Sequence, residues 1–338
     1  MDPAIALMFM KAQNVPSTPW PKIDAELDRL IMQGVLEPII HTSWATPITP
    51  VLKPNGSVHI CGDFKCTVNK VLKQDLHPVP TINQLLSVLS GGKIFAKLDL
   101  VQAYQQLIVD DKAAEAQTII THWGAFCVKH LQFEISVAPG IFQWLMEEMP
   151  AGIPGVVPYF DDALIMGLSR EKLTKRFRKV LQRFDKAGIR VKREKCQLGV
   201  SSINLLGYQI DVSGIRSVKD KVKAIHDAPI PTCRQDLQAF LGLLNFYHIF
   251  LKDRVTIAEP LHRLLDKGAQ WKWTYQHNGA FQGIKRLLTS DSVLVHYDEQ
   301  KPLSITCDAS GFGVGAVLSH TLPDGTDAPI AFYLKTVT

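Results

Sequence analysis

The pattern of apolar and polar positions predicts a chain of alternating short strands and helices. Apolar residues recur at helical spacing over 21–33, where Ile23, Leu27 and Leu30 share one face. Short apolar runs interrupted by prolines follow over 35–71 and predict strands. Further helices are expected over 81–89, 102–106, 137–149, about 170–187, 219–226, 236–250, 260–265 and 276–289. Further strands are expected over 93–98, 204–211, 302–308, 314–319 and 329–334.

Two adjacent aspartates, Asp161 and Asp162, occupy the turn between two apolar strand-like runs, 156–160 and 163–166. A tight turn between strands favours Asn-Gly or Asp-Gly, whereas two neighbouring carboxylates repel each other. A divalent cation would offset this repulsion because hard Mg²⁺ prefers oxygen ligands. Asp99 ends another strand-like stretch and is the natural third carboxylate of such a site.

Composition is that of a folded globular protein, but its charge is unevenly distributed. The length of 338 residues suggests two or three domains. The content of 46% hydrophobic and 20% charged residues argues against global disorder. Twelve lysines and arginines but three acids lie over 170–195, a local charge of +9 against +5 for the whole chain. This segment is either a solvated amphipathic helix or a face that follows nucleic-acid phosphates.

The six cysteines are scattered without a Cys-x-x-Cys pair, which argues against a zinc site or a disulfide framework. No apolar run approaches the roughly 20 residues that a membrane span needs. The apolar start over 4–10 lacks a basic leader. We therefore expect an intracellular protein, cytoplasmic or nuclear, without a signal peptide, a transmembrane segment or a membrane partner.

Five sequence blocks carry far more information together than the Asp-Asp pair does alone. In chain order they are Leu98-Asp99-Leu100, Ala103-Tyr104, Ala138-Pro139-Gly140-Ile141-Phe142-Gln143, Tyr159-Phe160-Asp161-Asp162 and Leu205-Leu206-Gly207-Tyr208. This order resembles a reverse transcriptase, and more narrowly the Pol polyprotein of gypsy-like LTR retrotransposons. The resemblance runs from about residue 21 to the C-terminus.

The resemblance implies an α+β right-hand polymerase with fingers, palm and thumb, followed by a helical connection and a truncated ribonuclease H-like β unit. It places an irregular segment at 1–19, fingers and palm at 20–211, the thumb/connection helical region at 212–300 and the ribonuclease H-like remnant at 301–338. Asp308 would be the first metal ligand of that remnant. One carboxylate cannot assemble a two-metal site, so we expect no cleavage of RNA–DNA hybrids by this chain.

The implied reaction is RNA-directed DNA synthesis on an RNA or DNA template with a primer, using deoxynucleoside triphosphates. Two Mg²⁺ ions, with Mn²⁺ as an alternative, would lie about 3.5–4 Å apart. By resemblance, Asp99 and Asp161 bridge the metals, Asp162 supports one of them and the Leu100 carbonyl is a further ligand. Lys195 matches the position proposed to protonate the departing pyrophosphate.

The resemblance also implies residues that bind the nucleotide and the primer. Tyr104 would lie under the sugar and reject a 2′-hydroxyl by clash, and Lys53 would meet the triphosphate. Without the resemblance, Tyr104 would count as a core aromatic and Lys53 as a lysine beside a turn. The nucleotide-binding set is Lys53, His59, Asp63, Tyr104, Phe133 and Gln143. The primer grip is Leu206, Gly207 and Tyr208.

Several residues depart from the family pattern. His59 stands in place of an arginine, which would grip phosphate with a fixed fork of donors. Gln132 and Glu134 replace the proline and glycine of a Pro-Phe-Gly block, and Pro158 replaces a β-branched residue in the strand before Asp161. Together these departures indicate drift away from selection for fast polymerisation.

Three functions are therefore weighed. The first is a weakened RNA-directed DNA polymerase, which the three retained aspartates favour. The second is a catalytically decayed retroelement fragment that still binds a primer–template duplex, which the departures favour. The third, an unrelated metal-dependent nuclease, leaves Tyr104, the primer-grip block and their order unexplained. The sequence favours no particular oligomeric state.

Overall fold

The structure is a computed structural model that describes residues 9–11, 20–52, 56–73, 77–247, 250, 254–289, 293–310 and 313–336. The chain divides into two compact units. The first comprises Met1–Ile82, Lys97–Ile165 and Lys175–Gln197, and the second comprises Asn83–Ala96, Met166–Thr174 and Leu198–Thr338. Both units are discontinuous in sequence, whereas the domains expected from the sequence are continuous stretches, and those boundaries stay a prediction.

Helices and strands alternate along the described residues. The helices are α1 (Trp20–Met32), α2 (Ile82–Leu89), α3 (Asp111–Ala116), α4 (Ala138–Glu148), α5 (Arg170–Lys186), α6 (Lys219–His226), α7 (Arg234–Phe246), α8 (Arg254–Arg263) and α9 (Tyr275–Thr289). The strands are β1 (Leu36–Ile39), β2 (Thr46–Leu52), β3 (Val58–Gly62), β4 (Ile94–Asp99), β5 (Ile119–Thr121), β6 (Gly124–Val128), β7 (Val156–Tyr159), β8 (Asp162–Gly167), β9 (Gln197–Val200), β10 (Ser202–Leu205), β11 (Tyr208–Asp211), β12 (Gly214–Ser217), β13 (Leu303–Ser310), β14 (Gly313–Thr321) and β15 (Asp327–Thr336).

A five-stranded sheet with the order β1-β6-β5-β2-β3 lies in the first unit. Helix α1 has the predicted amphipathic pattern and buries Ile23, Leu27 and Leu30 in the same hydrophobic core as sheet residues such as Ile48 and Ile60. Burial of these side chains stabilises the helix, because each contributes about 1.5–3 kcal/mol when removed from water.

A four-stranded sheet with the order β7-β8-β4-β9 carries the acidic residues. Pro158 lies in β7, at the edge of this sheet, and pairs with Ala163 of β8. An edge strand has a side with no ladder partner, so a proline is tolerated there. Helix α4 packs against β7 and fully buries Phe142 and Met146. The concern that Pro158 disrupts the strand is therefore removed by its position.

The second unit combines two small antiparallel sheets with the helices α6 to α9. Strands β10, β11 and β12 form one meander, and β13, β14 and β15 form the other. Helices α8 and α9 pack together, with Leu261, Phe281 and Ile284 fully buried. The predicted change from helices to a β unit near residue 301 is confirmed.

Two predictions of secondary structure need correction, and helix α3 and strands β5, β6, β9 and β12 were not predicted. The single strand expected over 204–211 is two strands, β10 and β11, because the chain reverses at Leu206 and Gly207. Helix α8 begins before Pro260 and includes it, although a proline usually ends a helix. Asp110 is the N-cap of α3 and accepts a hydrogen bond from the Ala113 amide at 2.7 Å.

Candidate active site

The predicted acidic hairpin exists, and its turn lies one residue earlier than expected. Tyr159 and Asp162 form the last pair of β7 and β8, so Phe160 and Asp161 are the two turn residues. Phe160 has a positive φ of 49°, a conformation that bulky residues rarely adopt. Asp162 therefore belongs to strand β8, and Asp161 projects from the turn itself.

The buried side chain of Gln143 supports this turn through hydrogen bonds. Gln143, on α4, is fully buried, accepts a hydrogen bond from the Phe160 amide at 2.8 Å and donates one to the Pro158 carbonyl at 3.1 Å. It also donates to the Glu147 carboxylate at 2.7 Å. The structure thus gives Gln143 a role in supporting the Asp-Asp turn. Its role in nucleotide binding stays a prediction.

Main-chain hydrogen bonds bring Asp99 next to the turn. The Leu100 amide donates to the Asp161 carbonyl at 2.9 Å, and the Lys192 amide donates to the Asp99 carbonyl at 2.7 Å. Asp99 therefore ends β4 between the acidic turn on one side and the segment around Lys192 on the other. The predicted proximity of Asp99 to the Asp-Asp pair is confirmed at the level of the backbone.

Two lysines face the carboxylates. The Lys97 Nζ lies 2.6 Å from the Asp162 Oδ2, and the Lys195 Nζ lies 3.8 Å from the Asp99 Oδ2. The match of Lys195 to the catalytic site agrees with this position. The sequence analysis missed Lys97, although alternation along β4 puts residues 97 and 99 on the same face of the strand.

Burial dominates the electrostatics of Asp162. Loss of solvent raises the pKa of this carboxyl, the hydrogen bond from Lys97 lowers it, and the nearby charges of Asp161 and Asp99 raise it further. The net direction is upward. The Asp162 carboxylate is thus kept in an environment that disfavours its charge, and Lys97 offsets part of that effect.

The expected metal site is tested by its donors. Within the described ranges, no three histidine, cysteine, aspartate or glutamate side chains form a group that could hold a metal ion. The chemistry of the donors still suits a hard cation, because Mg²⁺ prefers carboxylate oxygens and the backbones at Asp99 and Asp161 are joined by the hydrogen bond from the Leu100 amide to the Asp161 carbonyl. The predicted ligand set of Asp99, Leu100, Asp161 and Asp162 therefore stays a prediction.

Aromatic rings line the approach to Asp161. The Tyr104 ring meets those of Phe133 and Phe142 edge-on, at centroid distances of 5.2 and 5.4 Å. The His59 ring lies 5.5 Å from Phe133, also edge-on. Burial raises the pKa of Tyr104, and the charge of Asp161 adds to the shift. Three predicted nucleotide-binding residues thus form one row, with Tyr104 within electrostatic reach of Asp161.

The loop after Phe133 shows why a glycine fits the family pattern there. Glu134 is exposed and has a φ of 69°, in the left-handed region that favours glycine. Asn69 supports the loop because its side chain donates to the Glu134 carbonyl at 2.7 Å and accepts from the Ser136 amide at 2.9 Å. Glu134 therefore carries backbone strain that glycine would not.

The neighbouring departure, Gln132, is accommodated by new hydrogen bonds. The backbone N–H of Gln132 donates to the side-chain oxygen of Gln117 at 3.0 Å. A proline has no backbone N–H and could not make this bond. The buried side chain of Gln132 donates to the His130 carbonyl at 3.0 Å. Gln132 is thus well integrated into the fold, in contrast to Glu134.

Asp63, another predicted residue of the fingers, follows the end of β3. The Asp63 amide donates to the Pro47 carbonyl at 2.9 Å, and its carboxylate accepts a hydrogen bond from the Cys66 thiol at 3.2 Å. That bond, together with burial, raises the pKa of Cys66. Lys53 lies outside the described residues.

The predicted primer grip is a tight hairpin of the second unit. Leu205 pairs with Tyr208, and the two residues between them, Leu206 and Gly207, have φ values of 48° and 79°. Two positive φ angles are typical of type I′ hairpin turns. Tyr208 is buried, contacts the Tyr247 and Phe250 rings, and has its pKa raised to about 12 by burial. Tyr208 therefore anchors the hairpin in the core.

Asp308 lies on β13, opposite Gly315 of β14, and is exposed. Its carboxylate accepts a hydrogen bond from the Ala309 amide at 2.9 Å. The position within a β unit is the one expected. Its role as a metal ligand stays a prediction.

The cysteines and the length of the helices bear on two further expectations from the sequence. All six cysteines are free in the structure. None of the helices in the described part of the chain combines the length and the apolar character needed to cross a membrane.

Family models match two parts of the chain. Residues 51–210 match the reverse transcriptase (RNA-dependent DNA polymerase) family, and residues 273–338 match the RNase H-like domain found in reverse transcriptase. The first match contains Asp99, Asp161 and Asp162. The second begins before residue 301, where the β unit was expected.

Curated relatives extend the match over almost the whole chain. The chain is 32% identical over 326 residues to the Transposon Tf2-3 polyprotein of Schizosaccharomyces pombe, a match that covers 95% of this chain and 24% of that one. The Transposon Tf2-7 polyprotein of the same organism gives the same identity and coverage. The chain thus spans about a quarter of the length of these polyproteins.

Solved structures match the fold. A foamy viral protease-reverse transcriptase in complex with double-stranded DNA superposes with a TM-score of 0.88 at 23% identity, covering 99% of this chain and 59% of that one. A second, in complex with an RNA/DNA hybrid, gives a TM-score of 0.83 at 23% identity, covering 99% and 45%. The fold is therefore that of a right-hand polymerase. Together with the family matches and the transposon relatives, it shows that this chain belongs to the reverse transcriptase family, within the polyproteins of gypsy-like LTR retrotransposons.

Proposed function

We propose that this chain catalyses RNA-directed DNA synthesis, extending a primer with deoxynucleoside triphosphates, at a reduced rate. The observation that carries the proposal is the hydrogen bond from the Leu100 amide to the Asp161 carbonyl, which sets the ends of β4 and the acidic hairpin side by side. Three aspartates held at one place repel one another, and a binding protein gains nothing from them. Membership of the reverse transcriptase family supports the same activity.

The aspartates supply the donors for catalytic cations. Asp99, Asp161 and Asp162, with the Leu100 carbonyl, would hold Mg²⁺ or Mn²⁺. Such ions, when bound, activate the attacking 3′-hydroxyl and stabilise the leaving oxygens of pyrophosphate. Lys195 and Lys97 lie beside Asp99 and Asp162 and already offset part of the negative charge of these carboxylates.

Side chains around the aspartates would act on the substrate. Lys195, whose side chain is 60% exposed and whose ammonium group lies 3.8 Å from the Asp99 carboxylate, is available to donate a proton to the leaving pyrophosphate. Tyr104 would lie under the sugar of the incoming nucleotide and exclude a 2′-hydroxyl. Its ring is held by Phe133 and Phe142, so it cannot easily move aside.

A primer–template duplex is the expected partner. Two solved structures of similar fold are, by their titles, complexes with double-stranded DNA and with an RNA/DNA hybrid. Helix α5 offers exposed cations at Lys175, Arg178, Lys179 and Lys186 that suit a phosphate backbone. Helix α5 also buries Val180 and Phe184. It is therefore amphipathic, as expected for a solvated helix on the protein surface.

The rival proposal, a decayed fragment that only binds nucleic acid, rests on fewer observations than the sequence suggested. Pro158 is tolerated at a sheet edge, and Gln132 makes hydrogen bonds of its own. Glu134, with its left-handed backbone, and His59 still favour the rival. The balance favours a slow enzyme.

The test is primer extension on an RNA template with Mg²⁺ or Mn²⁺, run beside a salt titration of duplex binding. We expect extension by the wild type and by Asp185→Asn, a surface control on α5, and none by Asp161→Asn. Salt-sensitive duplex binding without extension by the wild type would establish the decayed fragment instead.

A further inference from the structure

The side chain of Gln106 joins two segments that are distant in sequence. Its amide nitrogen donates to the Val101 carbonyl at 2.6 Å and to the Arg190 carbonyl at 3.0 Å. Its amide oxygen accepts from the Arg190 N–H at 2.6 Å. The side-chain amide therefore pairs with both backbone groups of Arg190, as a peptide unit does in a β-ladder.

These bonds lie directly beside the acidic site. Two main-chain bonds also join the segments at this point, from the Val101 amide to the Arg190 carbonyl at 3.1 Å and from the Lys192 amide to the Asp99 carbonyl at 2.7 Å. They form an isolated bridge between Leu100 and Val191, outside any strand. The bridge precedes Lys195 and the pairing of β9 with β4 follows it, and Gln106 adds two hydrogen bonds to Arg190 on the side of the bridge.

Local chain geometry brings Gln106 to this place. Gln102 has a φ of 44°, so the chain reverses after Asp99, and the 3₁₀-helix Ala103–Gln106 returns the side chain to the Val101 carbonyl. A carboxamide is required because the contact needs a donor and an acceptor on one planar group. Glutamate supplies the acceptor alone, and methionine supplies neither strong donor nor acceptor.

We propose that Gln106 is a positioning residue that fixes the segment from Arg190 to Lys195 on the end of β4, and so sets the separation of Lys195 from Asp99. The 3.8 Å between the Lys195 ammonium and the Asp99 carboxylate depends on that register. The consequence for catalysis rests on the proposed polymerase function. The structural part of the proposal, that Gln106 fixes the segment from Arg190 to Lys195, does not rest on it.

The structural part is tested by amide hydrogen exchange in Gln106→Met, which keeps the side-chain length and removes the polar atoms. We expect exchange at the Val101 and Lys192 amides to become roughly fivefold faster, since a lost hydrogen bond contributes about 1 kcal/mol, a factor of about five in the opening equilibrium. Gln105→Met is the matched control, because Gln105 lies in the same turn and its side chain bonds to Gln132. Gln106→Glu serves as a second variant if Gln106→Met folds poorly, and a smaller increase is expected there.

The catalytic part is tested by a double-mutant cycle with Lys195→Ala in single-turnover incorporation. If Gln106 acts by placing Lys195, the two substitutions will not be additive, and Lys195→Ala will cost less in the Gln106→Met background. The nucleotide KM should stay within about twofold while kcat falls, as expected for an interaction that acts in the transition state. Gln105→Met should be additive with Lys195→Ala.

Each of these measurements tests one part of the proposal. Unchanged exchange at Val101 and Lys192 would overturn the positioning role, and full additivity of Gln106→Met with Lys195→Ala would overturn the link to Lys195. A wild-type chain that extends no primer would refute the proposed function, and the exchange measurement would still decide whether Gln106 holds the segment.

Discussion

The Nζ of Lys97 lies 2.6 Å from the Oδ2 of Asp162, and both side chains are less than a quarter exposed. They lie on neighbouring strands, β4 and β8, of the sheet that also carries Asp99. Asp162 is therefore paired with a cation supplied by the fold itself. This contact explains how the chain holds a buried carboxylate beside two others.

Lys97→Met is expected to destabilise the protein by about 1.5 kcal/mol at neutral pH, because a charge-assisted hydrogen bond to a partly buried carboxylate is lost. The pKa of Asp162, already raised by burial, should rise further. A raised folded-state pKa opposes folding above that pKa, and the opposition disappears as pH falls toward the ordinary value. The difference in unfolding free energy from the wild type should thus shrink as pH is lowered from 7 toward about 4.

Denaturant unfolding across this pH range measures the effect, with Lys97→Arg as the control that keeps the positive charge. A difference that is independent of pH would show that Lys97 does not act through the Asp162 carboxylate.

Gln143→Met should destabilise the acidic turn. The substitution keeps the volume but leaves the partly buried Phe160 N–H without its partner at 2.8 Å, at a penalty of about 1 kcal/mol. The expected result is a lower unfolding free energy together with a slower incorporation rate. Gln182→Met, on the exposed face of α5, is the matched control and should change neither quantity. An unchanged incorporation rate in Gln143→Met would remove its supporting role.

Glu134→Gly should stabilise the fold, because the φ of 69° is strained for glutamate and relaxed for glycine. The expected gain is about 1 kcal/mol. Incorporation should also rise if Glu134 is a product of drift. Glu134→Ala separates the causes, because it removes the charge and keeps the backbone strain. A gain in stability equal to that of glycine would point to charge instead of conformation.

Tyr104→Ala should admit ribonucleotides, because the ring held between Phe133 and Phe142 is removed. The measurement is the ratio of kcat/KM for deoxyribonucleotide and ribonucleotide. Tyr104→Phe keeps the ring and should keep the selectivity. Unchanged discrimination in Tyr104→Ala would exclude this residue as the sugar gate.

Much of the site could be predicted from the sequence because it depends on local pattern and on the order of blocks. The α1 helix follows from the spacing of Ile23, Leu27 and Leu30, and the hairpin at Asp161 from two apolar runs around polar residues. Asp99 is a candidate third carboxylate because it ends a strand-like stretch, and the family resemblance strengthens its assignment to the same site, since no local rule joins residues 99 and 161.

Other features could not be predicted, for physical reasons that differ. The contact of Gln106 with Arg190 joins residues 84 positions apart and has no local signal. Leu206 and Phe160 adopt positive φ angles although both are bulky, so usual turn preferences missed the break between β10 and β11 and misplaced the Asp161 turn by one residue. Lys97 is the exception, because the two-residue period of a strand would have placed it beside Asp99.

The most direct test of the account is incorporation of a single deoxynucleotide into a primer on an RNA template, measured in one preparation series for the wild type, Asp161→Asn and Asp185→Asn. We expect incorporation by the wild type and by Asp185→Asn, and loss in Asp161→Asn with the thermal unfolding midpoint unchanged. Incorporation retained by Asp161→Asn, or absent from the wild type with both Mg²⁺ and Mn²⁺, would contradict it.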